Sequence, residues 1–167
     1  MIEELQTERL ILRGWSLADF EVLAEFLTDD ELCKHRGGAI SRIEASDFMS
    51  KEIGQWSLRG YGGYAIEERS LNRVIGFTGL WHPHDFDEPE LYWSIFQGFH
   101  GKGYATEAAS AVRDWAIEVK GVSIMSFVSV ENKPSIRVAE RLGATRDKDT
   151  MLQGVQKRVY RHQLHQK

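Results

Sequence analysis

Apolar and polar positions alternate in part from Thr7 to Arg13, a stretch rich in Leu and Ile, which reads as an opening strand. Ser16 then stands as an N-cap for a helix over Leu17–Leu27, whose apolar stripe is Leu17, Phe20, Leu23, Ala24 and Leu27. A second helical stripe (Ile43, Phe48, Ile53, Trp56) runs from Ile43 to Leu58 and is broken by Gly60 and Gly62-Gly63. Strands are predicted at Tyr64–Glu67 and Val74–Trp81, as a hairpin turning near Leu71-Asn72, and the proline-flanked acidic stretch 82–89 as an exposed loop.

The second half reads strand, turn, helix, strand, helix, strands. Glu90–Phe96 is a strand, Gly98–Gly103 a glycine-rich turn, and Tyr104–Val119 a helix. Ser123–Val130 is a further strand, and Lys133–Leu142 a helix with Pro134 near its start and Gly143 at its C-terminal cap. Two closing strands follow, the second over Gln156–Leu164. Antiparallel strands first and one strand–helix–strand unit after them predict an α+β domain with helices on the faces of its sheet.

At 167 residues the chain fits one domain, 1–167, and 42% hydrophobic with 28% charged residues is the composition of an ordinary globular protein. Net charge is −4 and the basic residues are scattered, which argues against nucleic acid as a partner. Charges interrupt every apolar run of the opening MIEELQTERLILR, so neither a signal-peptide core nor a membrane span is expected. Cys33 is the single cysteine, and a cytoplasmic setting with no intrachain disulfide fits it. The sequence leaves a homodimer open.

The turn Phe99-His100-Gly101-Lys102-Gly103-Tyr104-Ala105-Thr106 sits between a strand and a helix, where unpaired amides and the positive dipole end face outward together. Glycines let the backbone approach a phosphate closely, and Lys102 adds charge; the bland alternative is a plain strand-to-helix turn. A P-loop would need Ser or Thr after the last Gly-Lys, and a dinucleotide fold a third glycine.

At these residues the chain resembles the GNAT superfamily of N-acetyltransferases, in particular its RimJ/RimL-type branch. Its Gln/Arg-x-x-Gly-x-Gly/Ala motif is similar to His100-Gly101-Lys102-Gly103-Tyr104-Ala105, with His100 in the slot usually held by Gln or Arg. Asn132-Lys133-Pro134-Ser135 with Leu142-Gly143 is similar to the branch's second signature, and Thr7–Arg13 to its first strand, in the correct order.

The resemblance implies a mixed, mostly antiparallel sheet splayed at its middle, flanked by about four helices, with acetyl-CoA in the splay. It implies that the backbone of Ile95, Phe96 and Gln97 pairs with pantetheine. The turn at Gly101, Lys102, Gly103, Tyr104, Ala105 and Thr106 would hold the pyrophosphate, and Asn132 the pantetheine arm. It implies direct attack on the thioester by a primary amine, either a protein N-terminus or a small molecule. The Tyr that many members place seven residues past the motif Asn is Ala139 here, with Ser135 as the branch's substitute acid. Ser135 is equally a natural helix-capping residue.

The attacking amine must be neutral, so a base is needed. Glu90 is the candidate, sharing one strand face with Tyr92, Ser94 and Phe96; a carboxyl among aromatics titrates high. The alternative is a solvated rim acid beside Asp87 and Glu88. Trp81 and Trp93 are placed near substrate. His82-Pro83-His84-Asp85 is half a metal site without further ligands at suitable spacing, so no metal is expected. The rival functions are a catalytically idle acyl-CoA-binding or regulatory module, favoured by Ala139, and a nucleotide-binding protein using the same turn.

Overall fold

The computed structural model describes residues 2–152 and 154–163. Among the described residues, eight strands form one sheet in the order β1-β2-β3-β4-β5-β6-β8-β7. The strands are β1 (Leu5–Gln6), β2 (Leu10–Arg13), β3 (Gly63–Glu68), β4 (Arg73–Trp81), β5 (Glu90–Ile95), β6 (Met125–Ser129), β7 (Thr145–Leu152) and β8 (Val155–Arg161). Every pairing is antiparallel except β5 with β6, which pair in parallel through Glu90 and Met125 alone. The strands part beyond that rung, so the predicted splay lies between β5 and β6.

The helices are α1 (Phe20–Leu27), α2 (Asp30–Cys33), α3 (Arg42–Arg59), α4 (Tyr104–Glu118) and α5 (Lys133–Arg141). Where one helix from Leu17 was expected, residues Leu17–Asp19 form a 3-10 turn first. The Asp19 carboxylate accepts from both the Ser16 amide and hydroxyl at 2.9 Å and from Arg13, which fixes that tighter turn. The single-turn α2 exceeds the expected four helices; it is too short for a periodic stripe, and Asp29 caps it through Leu32 N–H. Loop 82–89 is less exposed than expected. Phe86 packs edge-on against Phe127, His82 Nε2 donates to Phe86 O (2.9 Å), and His82 Nδ1 shares a hydrogen bond with Tyr61 Oη (2.6 Å). Both His82 ring nitrogens are thereby engaged within the protein. The last closing strand ends at Arg161, and Leu164 lies outside the described residues.

The sheet separates two cores. On one face α4 covers Leu80, Leu91 and Ile95, with Val112, Trp115 and Ala116 from the helix. On the other, α1 and α3 cover Ala65, Phe77 and Phe96. A smaller cluster of Val128, Ile136, Ala139 and Tyr160 seats α5. Phe77 is fully buried, and its ring meets those of Trp15, Phe26, Phe48, Tyr92 and Phe96 at centroid distances of 5.6–6.1 Å. Phe77→Ala should therefore cost about 3–5 kcal/mol of unfolding free energy, read from urea denaturation. A loss below about 1 kcal/mol would show that this cluster does not anchor the α1–α3 layer.

Candidate active site

The turn after β5 brings its glycines into the left-handed region, with φ of 85° at Gly98, 77° at Gly101 and 83° at Gly103. Gly103 caps α4 without a side-chain acceptor, and the amides of Gly103, Tyr104, Ala105 and Thr106 have no acceptor among the described residues. They open to solvent at the positive end of a four-turn helix, a fit for an anionic diphosphate. The turn is braced from outside the motif. Glu107 in the first turn of α4 accepts from Thr7 Oγ1 (2.6 Å) and Arg9 Nε (2.7 Å), while Arg9 also donates to Lys102 O (2.9 Å) and lies over the Tyr104 ring. His100 donates from Nε2 to Ile95 O at 2.6 Å, tying the turn to its strand.

Along β5 successive residues face opposite sides. Leu91, Trp93 and Ile95 lie on the α4 side; Glu90, Tyr92 and Ser94 lie on the α3 side, as expected. Trp81 pairs with Glu90 and shares its face, whereas Trp93 lies through the sheet from Glu90, edge-on to His162. Main-chain groups alternate too. Leu91, Trp93 and Ile95 turn theirs toward the splay, where Leu91 O is met by Ser126 Oγ and Ile95 O by His100. Phe96 does not offer the main chain expected of it: its N–H donates to Ile75 O (2.8 Å) and its carbonyl accepts from Phe99 N–H (3.2 Å). Among the described residues, the groups left open toward the splay are the Trp93 N–H and carbonyl and the Ile95 N–H, the Ile95 carbonyl being held by His100. Gln97 is exposed where the strand ends.

Two carboxylates sit on the α3 face. Glu52, from α3, is 1% exposed and accepts a hydrogen bond from Tyr92 Oη. Nothing in the helical stripe of α3 marked Glu52 as buried. The contact exists because Gly63, Gly79 and Tyr92 form one row across β3, β4 and β5. A Cβ on Gly63 would collide with the Glu52 carboxylate, and one on Gly79 would lie 2.9 Å from Tyr92 Oη. Burial pushes Glu52 up to about 7 against the Tyr92 hydrogen bond and the field of Arg36. Glu90 is mostly buried at the last rung before the splay, and burial raises it to about 7 as well, while Arg36, Lys157 and the Phe127 main chain pull it down. It is therefore not a solvated rim acid; Glu88 takes that part, paired with Arg161.

Asn132 is the N-cap of α5, its Oδ1 accepting from Ser135 N–H at 3.2 Å. Capping thus falls to Asn132 rather than Ser135, whose half-buried hydroxyl has no partner among the described residues. Ala139 is fully buried beneath α5 against Val128 and Tyr160. Ser126 and His162 were not singled out from the sequence. Ser126 Oγ donates to Leu91 O and sits 2.8 Å from His162 Nε2, and burial lowers His162 to about 4, keeping it neutral.

A sheet opened between two central parallel strands, with an amide-lined turn leading into the next helix, defines an acyl-CoA-dependent acyltransferase architecture. The model of the acetyltransferase (GNAT) domain matches residues 9–145, so the chain belongs to the GNAT family, which moves acetyl groups from acetyl-CoA to amines, and it is an acetyltransferase. Its relatives include the uncharacterized N-acetyltransferase YnaD of Bacillus subtilis, 26% identical over 145 residues, or 86% of this chain and 83% of that one. The crystal structure of an acetyltransferase from Agrobacterium tumefaciens superposes with a TM-score of 0.90 at 34% identity, over 98% of this chain and 96% of that chain. Spermidine N-acetyltransferase from Vibrio cholerae, solved with CoA and spermine, shares the fold at a TM-score of 0.74 and 18% identity, over 93% and 94% of the two chains.

Glu52 supplies a test of the buried site that needs no substrate. Its folded value of about 7 exceeds the ordinary 4.5, so between those values the folded chain retains a proton that the unfolded chain has released. Stability must then fall as pH rises through that window. Glu52→Gln removes this contribution and leaves that of Glu90. The variant's stability relative to wild type should be more favourable at about pH 8 than at about pH 5, by about 1–3 kcal/mol in urea midpoints. A pH-independent difference would mean that Glu52 ionises normally.

Proposed function

We propose that the chain transfers the acetyl group of acetyl-CoA to a primary amine, with Glu90 taking the amine's proton at the end of the β5–β6 splay. The observation that carries this is the ending of the β5–β6 ladder at Glu90 and Met125. A linear arm held at its diphosphate by residues 101–106, and lying along the open edge of β5, runs toward that rung. Acetyl-CoA supplies the electrophilic thioester. The amides of Gly103 to Thr106 hold the diphosphate, with Gly101 shaping the approach and Lys102 adding charge. The Trp93 main chain and the Ile95 N–H pair with the pantetheine amides, and the Asn132 side-chain amide, whose oxygen is used in the cap, has its NH2 to offer.

The α4 and α5 layers close one face, so the amine approaches from the α3 face, beside Glu90, Tyr92 and Trp81. A carboxyl poised near 7 accepts a proton from an ammonium group and gives it up to solvent at neutral pH. Ser135, free of capping duty, protonates the departing thiolate in this reading. An idle acyl-CoA-binding module explains the turn equally well but gives no reason for a buried acid at the splay.

Glu90→Gln should bind acetyl-CoA normally while turnover falls roughly 10²–10⁴-fold, and the acidic limb of the pH–rate profile, centred near 7, should vanish. Unchanged turnover and profile on a competent amine would assign deprotonation to solvent. Gly103→Val forces a branched side chain to φ 83° and should weaken acetyl-CoA binding at least about tenfold in calorimetric titration; unaltered affinity would exclude the turn as the diphosphate site.

A further inference from the structure

The α3 face of the splay holds two cations that the reaction as derived does not use. Arg36 lies in the loop after α2, its guanidinium over the rings of Phe77 (5.1 Å) and Phe48 (5.7 Å), and it spends one N–H on Ser94 Oγ at 3.2 Å. Its remaining donors have no acceptor among the described residues. Lys157, on β8, donates to the carbonyl of His35 at 2.8 Å. Neither cation has a carboxylate within ion-pair distance among the described residues, although both are partly buried. A half-buried guanidinium and ammonium whose hydrogen bonds go only to neutral oxygens, with the acids Glu52 and Glu90 acting on them without direct pairing, keep donors open to an anion that joins them.

Register places them on the two banks of the splay. Ser94, which holds Arg36, is on β5; Lys157 pairs with Ser129 at the far end of β6, where the strands have already separated. Because His35 and Arg36 are neighbours in the chain, the two tethers strap this one loop across the opening. Both cations act on Glu90 at its closed end, and Arg36 also acts on Lys157. The basin therefore carries an acid at one end and two cations at the other, with Tyr92 between.

We infer that Arg36 and Lys157 bind the anionic group of the acceptor, so that the substrate class is a small amine that also carries a carboxylate or phosphate. The loop strapped over the splay by Lys157 and Arg36 favours a small molecule over a polypeptide. A polyamine would set cation against cation. This rests on the proposed function, since it is the amine beside Glu90 that puts the anion between Arg36 and Lys157.

The test is a panel of matched acceptors: amino acids and their uncharged amides, aminoalkyl phosphonates and their neutral diesters, polyamines, and peptides with free N-termini. CoA release gives kcat/KM, and calorimetry gives binding of each acceptor to CoA-saturated protein. Each anionic acceptor should exceed its neutral partner about 10–100-fold, mainly through KM, and the carboxylate and phosphonate arms identify the anion. In Arg36→Met and in Lys157→Gln this ratio should fall toward one whatever loss both partners share, and Arg36→Lys should restore part of it. A role confined to holding the loop would lower both partners equally and leave the ratio intact, overturning the inference. Equal or better use of neutral amines, polyamines or peptides would overturn it while leaving acetyl transfer standing. Arg36-dependent binding of anionic amines without transfer would support the anion site and remove the proposed function, and absence of both overturns both.

Discussion

The single rung between Glu90 and Met125 is the constraint from which the site follows. Two parallel strands in the middle of a sheet normally pair along their length, because a buried amide or carbonyl without a partner costs about 1–3 kcal/mol. Here the ladder stops after one pair, and the protein answers the exposed groups from outside the strands: Ser126 Oγ reaches Leu91 O, and His100 reaches Ile95 O. What stays open among the described residues is a short internal strand edge at Trp93 and the Ile95 N–H, available to a ligand with amide groups of its own. The neutral His162 behind Ser126 completes the support, since a charged imidazole there would be buried facing Arg113.

The sheet is also a partition. The amide-lined turn and α4 belong to one side, the acids and aromatic rings to the other, and only the splay joins them. On the acid side, the glycine row lets Tyr92 lie flat and reach Glu52, which brings α3 down onto the sheet. That packing removes water from Glu52 and Glu90 together. Glu90 adds to the cost of ionising Glu52 only modestly beside the loss of solvent, and Arg36 acts against the effect of burial on both. Desolvation is therefore the dominant influence, and it depends on α3 staying in place rather than on any one pair of charges.

Local features were legible in the sequence and long-range ones were not. Helix α3 shows its stripe and its Gly60 terminator within one segment, and the structure has it at Arg42–Arg59, capped by Ser41. The glycine turn is likewise local, so its φ values follow from residue type. Glu90 is readable as a candidate because it lies beside that motif on a short strand. Glu52 is not: it is an acid on an amphipathic helix, and only the two glycines from β3 and β4 reveal that it is buried. Arg36 and Lys157 are 121 positions apart and meet at the splay through one loop carbonyl, a proximity that no spacing encodes. Phe96 misleads for the opposite reason, since its place in the motif says nothing of its commitment to Ile75.

The link between the two ends of the site is covalent. Glu90 and the turn are joined by β5 itself, and a strand advances about 3.3 Å per residue with little freedom to stretch. The distance from the acid to the α4 amides is therefore fixed by five peptide units and the turn braced by His100, not by the packing of mobile layers. The acceptor side has no such ruler: Arg36 and Lys157 are held by a loop, with Gly37 and Gly38 both at positive φ directly after Arg36. A rigid strand sets where the chemistry occurs, whereas a strapped loop, which can be changed without disturbing the sheet, sets which molecule is presented to it.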